Sequence, residues 1–197
     1  MKKAALGFRV HSGWTSLVAI SLEGNLPVVL ARRRLHLVET FSYSFRQPYH
    51  TAAKMPAEDA PRFIDKVRQE ARELAIRAIH AAAADIQQQG CKLAACALLQ
   101  ASGRPLPELA KILASHAMIH TADGELFREA ILNASSRCKL EMTAMREREL
   151  LSRASSALNM RPNIAAKRVA ALGKTLGPPW SQDEKLAALA AWVALRM

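Results

Sequence analysis

The sequence predicts an α/β domain built on one mixed sheet, and three features carry that prediction. It opens with three runs rich in Val, Ile and Leu, separated by tight-turn chemistry. A long segment with helical periodicity follows. Two later apolar runs, each of strand length and each set between helical stretches, then supply parallel strands, because a parallel neighbour needs a crossover connection.

Ala4 to His11 and Trp14 to Ser21 read as strands joined at Ser12-Gly13, and Glu23-Gly24-Asn25 turns the chain into a third strand from Pro27 to Leu37. The result is a three-stranded antiparallel meander. Residues 40 to 57 mix Ser, Gln, Pro and aromatics with no sustained period and read as a long connection. From Asp59, with Pro61 in the first turn, Ile64, Val67, Ala71, Leu74 and Ala78 recur at helical spacing, and Gly90 ends the helix near Gln89.

Cys91 to Leu99, bounded by Gly90 and Ser102-Gly103, suits a buried parallel strand. Pro107 opens a helix through Leu113, and a second helix follows Thr121 with Leu126, Phe127, Ala130 and Ile131 on its apolar side. Cys138 to Ala144 reads as a fifth strand. Three helical stretches, near Glu147 to Leu158, Asn163 to Gly173 and Gln182 to Leu195, complete the chain. The last has the best-marked start, since Ser181 and Glu184 form a capping-box pattern and Pro178-Pro179 bars helix before it.

With 197 residues, half of them hydrophobic, the chain suffices for one well-buried core, and no linker divides it, so residues 1–197 are read as one domain. The net charge of +11 and pI near 10.1 point to a polyanionic partner such as nucleic acid or anionic lipid. Cys91, Cys96 and Cys138 lack paired metal spacing and read as free thiols in a reducing cytoplasm. No signal-peptide pattern and no uninterrupted apolar span stands out, so neither secretion nor membrane insertion is expected.

This order of elements resembles the RNase H-like superfamily over nearly the whole chain. Two stretches are similar to RuvC-type Holliday-junction resolvases: Ala5-Leu6-Gly7-Phe8-Arg9 beside an opening family strand that ends Gly-Ile-Asp, and Ser181 to Ala190 beside the family's terminal Ala/Leu-rich helix. The resemblance implies two divalent metals. It places one carboxylate on the first strand, another near the end of the fourth, and one or two on the last helix, since metals about 3.5 to 4 Å apart require several anionic oxygens. Here Arg9 stands at the first position and Gln100 near the second, leaving Asp183 and Glu184 as the remaining metal candidates. Both also suit the first turn of a helix without any metal. The expectation is a lost metal site with no cofactor, and an ion pair between Arg9 and Asp183 or Glu184.

The leading functional reading is a noncatalytic domain that binds nucleic acid through Arg9, Arg32, Arg34, Lys167, Arg168 and Lys174. Arg32-Arg33-Arg34 lies in the third strand, where alternation sends Arg32 and Arg34 to one face, and edge protection competes with phosphate binding as its purpose. Arg146, Arg148, Arg153, Arg161, Lys167, Arg168 and Lys174, against Glu147 and Glu149, form a basic region before the last helix. A scaffold that offers its Ala-rich helix faces to a protein partner is the second reading. The third is an active nuclease that uses Asp183 and Glu184 with an acid displaced to Glu39, Glu58 or Asp59. His116 and His120, four apart, would share one face of a helix in the manner of a zinc site with Glu125 downstream, but Ala117 rules out the zinc-protease motif and Met118-Ile119 with Thr121 reads as a helix end. Packed or solvent-facing histidines are expected there.

Overall fold

A computed structural model describes residues 1–101 and 105–197; the Ser102-Gly103 boundary lies outside them. Five strands form one sheet in the order β3-β2-β1-β4-β5: β1 Lys2–His11, β2 Trp14–Glu23, β3 Leu26–His36, β4 Cys91–Gln100 and β5 Glu141–Arg146. The first three pair antiparallel, whereas β1 with β4 and β4 with β5 run parallel. This is the mixed sheet expected from the sequence. Both hairpins turn at glycines with positive φ, Gly13 at 81° and Gly24 at 60°, a conformation that other residues adopt at a cost.

One face of the sheet carries α3 (Ala60–Gln88) and α5 (His116–Arg137), and the other carries α6 (Leu150–Leu158), α7 (Pro162–Leu176) and α8 (Gln182–Ala194). The period of two in the strands sorts the core accordingly. Leu6, Phe8 and Leu98 pack beneath α3 and α5, while Ala5, Ala97 and Leu99 pack beneath α8.

Helix α8 crosses close above β1, because an ideal Cβ at Gly7 would lie 1.9 Å from the carbonyl oxygen of Ala187. Only a residue without a side chain fits there. The small residues of α8 belong to the same contact: Ala187 through Ala194 are all buried. The alanine-rich face expected to serve a protein partner therefore packs inside the domain. The alanines at 71, 75 and 82 of α3 are buried in the same way.

Several boundaries differ from the sequence reading, four of them in ways that bear on the sites. Residues 40 to 57 contain two short helices, α1 Tyr43–Arg46 and α2 Pro48–Ala52, that pack on one another and, through α2, on α5. Helix α4 spans Leu109–Leu113 and starts two residues after Pro107. The fifth strand is shifted to Glu141–Arg146, and a 3-10 turn, Glu147–Glu149, leads from it into α6. Helix α5 begins at His116 and runs unbroken through Thr121 and Gly124. Burial of Ala122, Leu126 and Phe127 outweighs the roughly 1 kcal/mol that a glycine costs within a helix.

Candidate functional site

The parallel strands β1, β4 and β5 end side by side, and a cleft of about 610 Å³ opens at their carboxyl ends. In open α/β sheets this is where ligands bind. Register brings Arg9 beside Leu99 and Gln100 beside Arg146, so the last residues of three strands and the first turn of α8 converge there.

Arg9 is the hub of this site. Its guanidinium pairs with Asp183, and it also donates to Glu147 through Nε at 3.1 Å and through Nη2 at 3.3 Å. Burial opposes the charge on Arg9, but the hydrogen bonds and fields of Glu147 and Asp183 outweigh it and raise the pKa above the ordinary 12.5. The guanidinium is a fixed cation. The ion pair expected from the sequence forms with Asp183, whereas Glu184 closes the capping box: its carboxylate accepts from Ser181 N at 2.6 Å and its N–H donates to Ser181 Oγ at 3.3 Å.

His11 stands beside this pair, with Nε2 2.9 Å from Arg9 Nη1 and 3.2 Å from Asp183 Oδ2. Burial lowers its pKa and the charges of Arg9 and Arg128 add to the effect, against the opposing pull of Asp183. A guanidinium can only donate, so the bond to Arg9 requires a bare Nε2, in keeping with neutral imidazole. The ring stacks on Trp14, centroids 4.2 Å apart, and the guanidinium of Arg34 lies 3.8 Å from the Trp14 centroid. A ladder of flat groups, with a cation at each end, thus runs from the sheet edge to the cleft.

Among the remaining candidates, Arg32 is engaged: it donates to Gly177 O at 3.1 Å, to Leu176 O at 3.0 Å and to Pro179 O, capping the C-terminus of α7. Arg33, on the opposite face as alternation requires, pairs with Asp85 of α3. Lys167, Arg168 and Lys174 are exposed on α7, and Arg34 is exposed on β3. Glu39 pairs with Arg77 at 3.5 Å, on the α3 side of the sheet, and is not brought to the cleft.

The resemblance to RNase H-like nucleases implies a pair of divalent ions at this end of β1. Arg9, neutral Gln100 and two acids already bonded to Arg9 do not suit such a pair. Sequence reasoning missed Glu147, His11 and Arg128 as members of the site. The parallel pairing of β5 with β4 was the signal for Glu147, since it puts the residue after Arg146 beside the end of Gln100.

Comparison with known structures bears on the fold. The RuvC of Thermus thermophilus in complex with a Holliday junction substrate superposes with a TM-score of 0.52 at 11% identity, covering 97% of this chain and 91% of that one. The fold is RuvC-like. A second Thermus thermophilus RuvC structure gives a TM-score of 0.50 at 12% identity over 96% of this chain and 92% of that one. No family model and no curated protein sequence matches the chain. Among the described residues, no helix is long and apolar enough to cross a membrane.

Proposed function

We propose that this RuvC-like domain binds nucleic acid without cleaving it. The observation that carries the reading is Arg9 seated between Asp183 and Glu147, where this fold places metal ligands in its nucleases. A guanidinium there supplies the charge that the metals would supply, and it cannot activate water. The net charge of +11 supports a polyanionic ligand, and the resolvase whose structure resembles this chain is bound to a Holliday junction.

The binding face comprises Lys167, Arg168 and Lys174 of α7 together with Arg34 of the edge strand β3, stacked on Trp14 of β2. Arg9 and Arg32 serve it indirectly, Arg9 by holding the cleft and Arg32 by fixing the end of α7. A cytoplasmic setting fits the three free cysteines, of which Cys96 has its thiol pushed up to about 12 by burial and is inert. Fluorescence titration with duplex, four-way junction and single-stranded oligonucleotides tests the proposal. Binding that weakens steeply with salt is expected, and absence of binding at low salt to all three would remove the reading.

A further inference from the structure

Helix α5 begins with His116 and His120 one turn apart on one face, and their Nε2 atoms lie 3.0 Å from each other. His50 of α2 joins them from the connection between β3 and α3. One ring nitrogen from each of the three lies within 4.8 Å of the other two. Ligands on a tetrahedral zinc, at Zn–N distances of about 2.0–2.1 Å, sit roughly 3.3 Å apart, so small rotations of exposed side chains complete the approach. His116 and His120 are the exposed pair, and His50 is the anchored member, 11% exposed.

A fourth residue gives the cluster its direction. Asp123, 2% exposed, accepts from the backbone N–H of Tyr49 at 2.7 Å and bonds Nδ1 of His50. This fixes the ring and leaves its Nε2 as the free donor atom. Among the described residues no lysine or arginine pairs with Asp123. A buried carboxylate bonded to one nitrogen of an imidazole, whose ring packs edge-on against two more imidazoles with centroids 5.5 and 4.4 Å away, matches the outer-shell arrangement that orients a metal-bound histidine.

We propose that His50, His116 and His120 bind one divalent transition-metal ion of the zinc class, with Asp123 as the positioning residue and solvent as the fourth ligand. Three neutral nitrogens suit zinc better than magnesium or calcium, which take oxygen. The ion ties α2 to the start of α5. The site is separate from the Arg9 cleft: His120 and Arg128, which lines that cleft, are eight residues apart on α5, about 12 Å along its axis. The proposal therefore stands or falls independently of nucleic-acid binding.

Untagged, metal-stripped protein is titrated with Zn2+ by calorimetry and with Co2+ by absorption spectroscopy. One equivalent of Zn2+ should bind, and Co2+ should give the intense visible bands of four-coordination. Asp123→Asn should weaken Zn2+ binding about 10- to 100-fold, with at least as large a loss for His50→Ala. Because His116 and His120 are exposed, the double variant H116Q/H120Q keeps the fold, as circular dichroism will check, and should lose both the bound equivalent and the rise in Tm that Zn2+ gives the parent chain. No binding, the weak bands of an octahedral Co2+ complex, or an affinity unchanged in His50→Ala would overturn the proposal, the last by reducing the site to a two-histidine surface chelate.

Discussion

Arg9 on the first strand and Asp183 in the first turn of the last helix, 174 residues apart in sequence, form an ion pair at the carboxyl end of the sheet. Glu147 completes the cluster from the end of β5. Truncating Arg9 leaves the partly buried Asp183 and the exposed Glu147 without their shared cation, so Arg9→Gln should destabilise the fold by about 1 kcal/mol, the Asp183 contact contributing most of it. Urea denaturation should show this as a lower midpoint with unchanged slope. A double-mutant cycle with Asp183→Asn should give a coupling of about 0.5–3 kcal/mol.

Restoring an acid should not restore a nuclease. Arg9→Asp places a carboxylate at the first-strand position where the family resemblance implies one, but Gln100 remains neutral in the same cleft. The variant is expected to cleave neither junction nor single-stranded DNA in Mg2+ or Mn2+, as read on a denaturing gel.

The approach of α8 to β1 sets a steric test. Gly7→Ala drives a methyl group into the carbonyl of Ala187, which belongs to backbone and cannot rotate away. A loss of about 3 kcal/mol or more is expected, at the upper end of overpacking costs. Thermal unfolding followed by circular dichroism measures it.

How much of this was legible in the sequence follows from the range of the interactions. Strand alternation, the hairpin glycines, the α3 stripe and the Ser181–Glu184 capping box are local, and each was readable at its own position. Arg9 opposite Asp183 was readable because the resemblance to a known fold joined two distant stretches. The start of α5 was not: Met118-Ile119 with Thr121 reads as a helix end, and the burial of Ile119 and Ala122 that carries the helix through it is tertiary. The grouping of His50 with His116 and His120 was hidden for the same reason, with the added difficulty that α2 lies in a segment without periodicity. Arg32, expected to grip phosphate, is instead bonded to the carbonyls of Leu176 and Gly177 at the end of α7, a tertiary contact that strand alternation alone does not reveal.

His11 makes stability depend on pH with a definite sign. Its folded pKa is lowered, chiefly by burial and then by the cations Arg9 and Arg128, so the unfolded chain takes up the proton first as pH falls. The contribution of His11 is full above the ordinary value of 6.5 and is lost as pH falls from there through the lowered folded value. In His11→Gln the difference in stability between about pH 7.5 and about pH 5.5 should shrink, as read by denaturant midpoints at those two values.

The cationic face of α7 should behave as a phosphate-binding surface does. Replacing Lys167, Arg168 and Lys174 together with alanine should flatten the plot of log K against log salt by up to about 3 for duplex DNA, roughly 0.9 for each phosphate no longer neutralised. The fold should be unaffected, since all three side chains are exposed.

The most direct test of a binding domain without nuclease chemistry is one experiment on a labelled four-way junction, with anisotropy and product formation read in the same tubes, in the presence and absence of Mg2+ or Mn2+. Binding at low salt should be the same with and without the ion, and the junction should remain intact. Cleavage that requires the ion and disappears in Asp183→Asn would contradict the account.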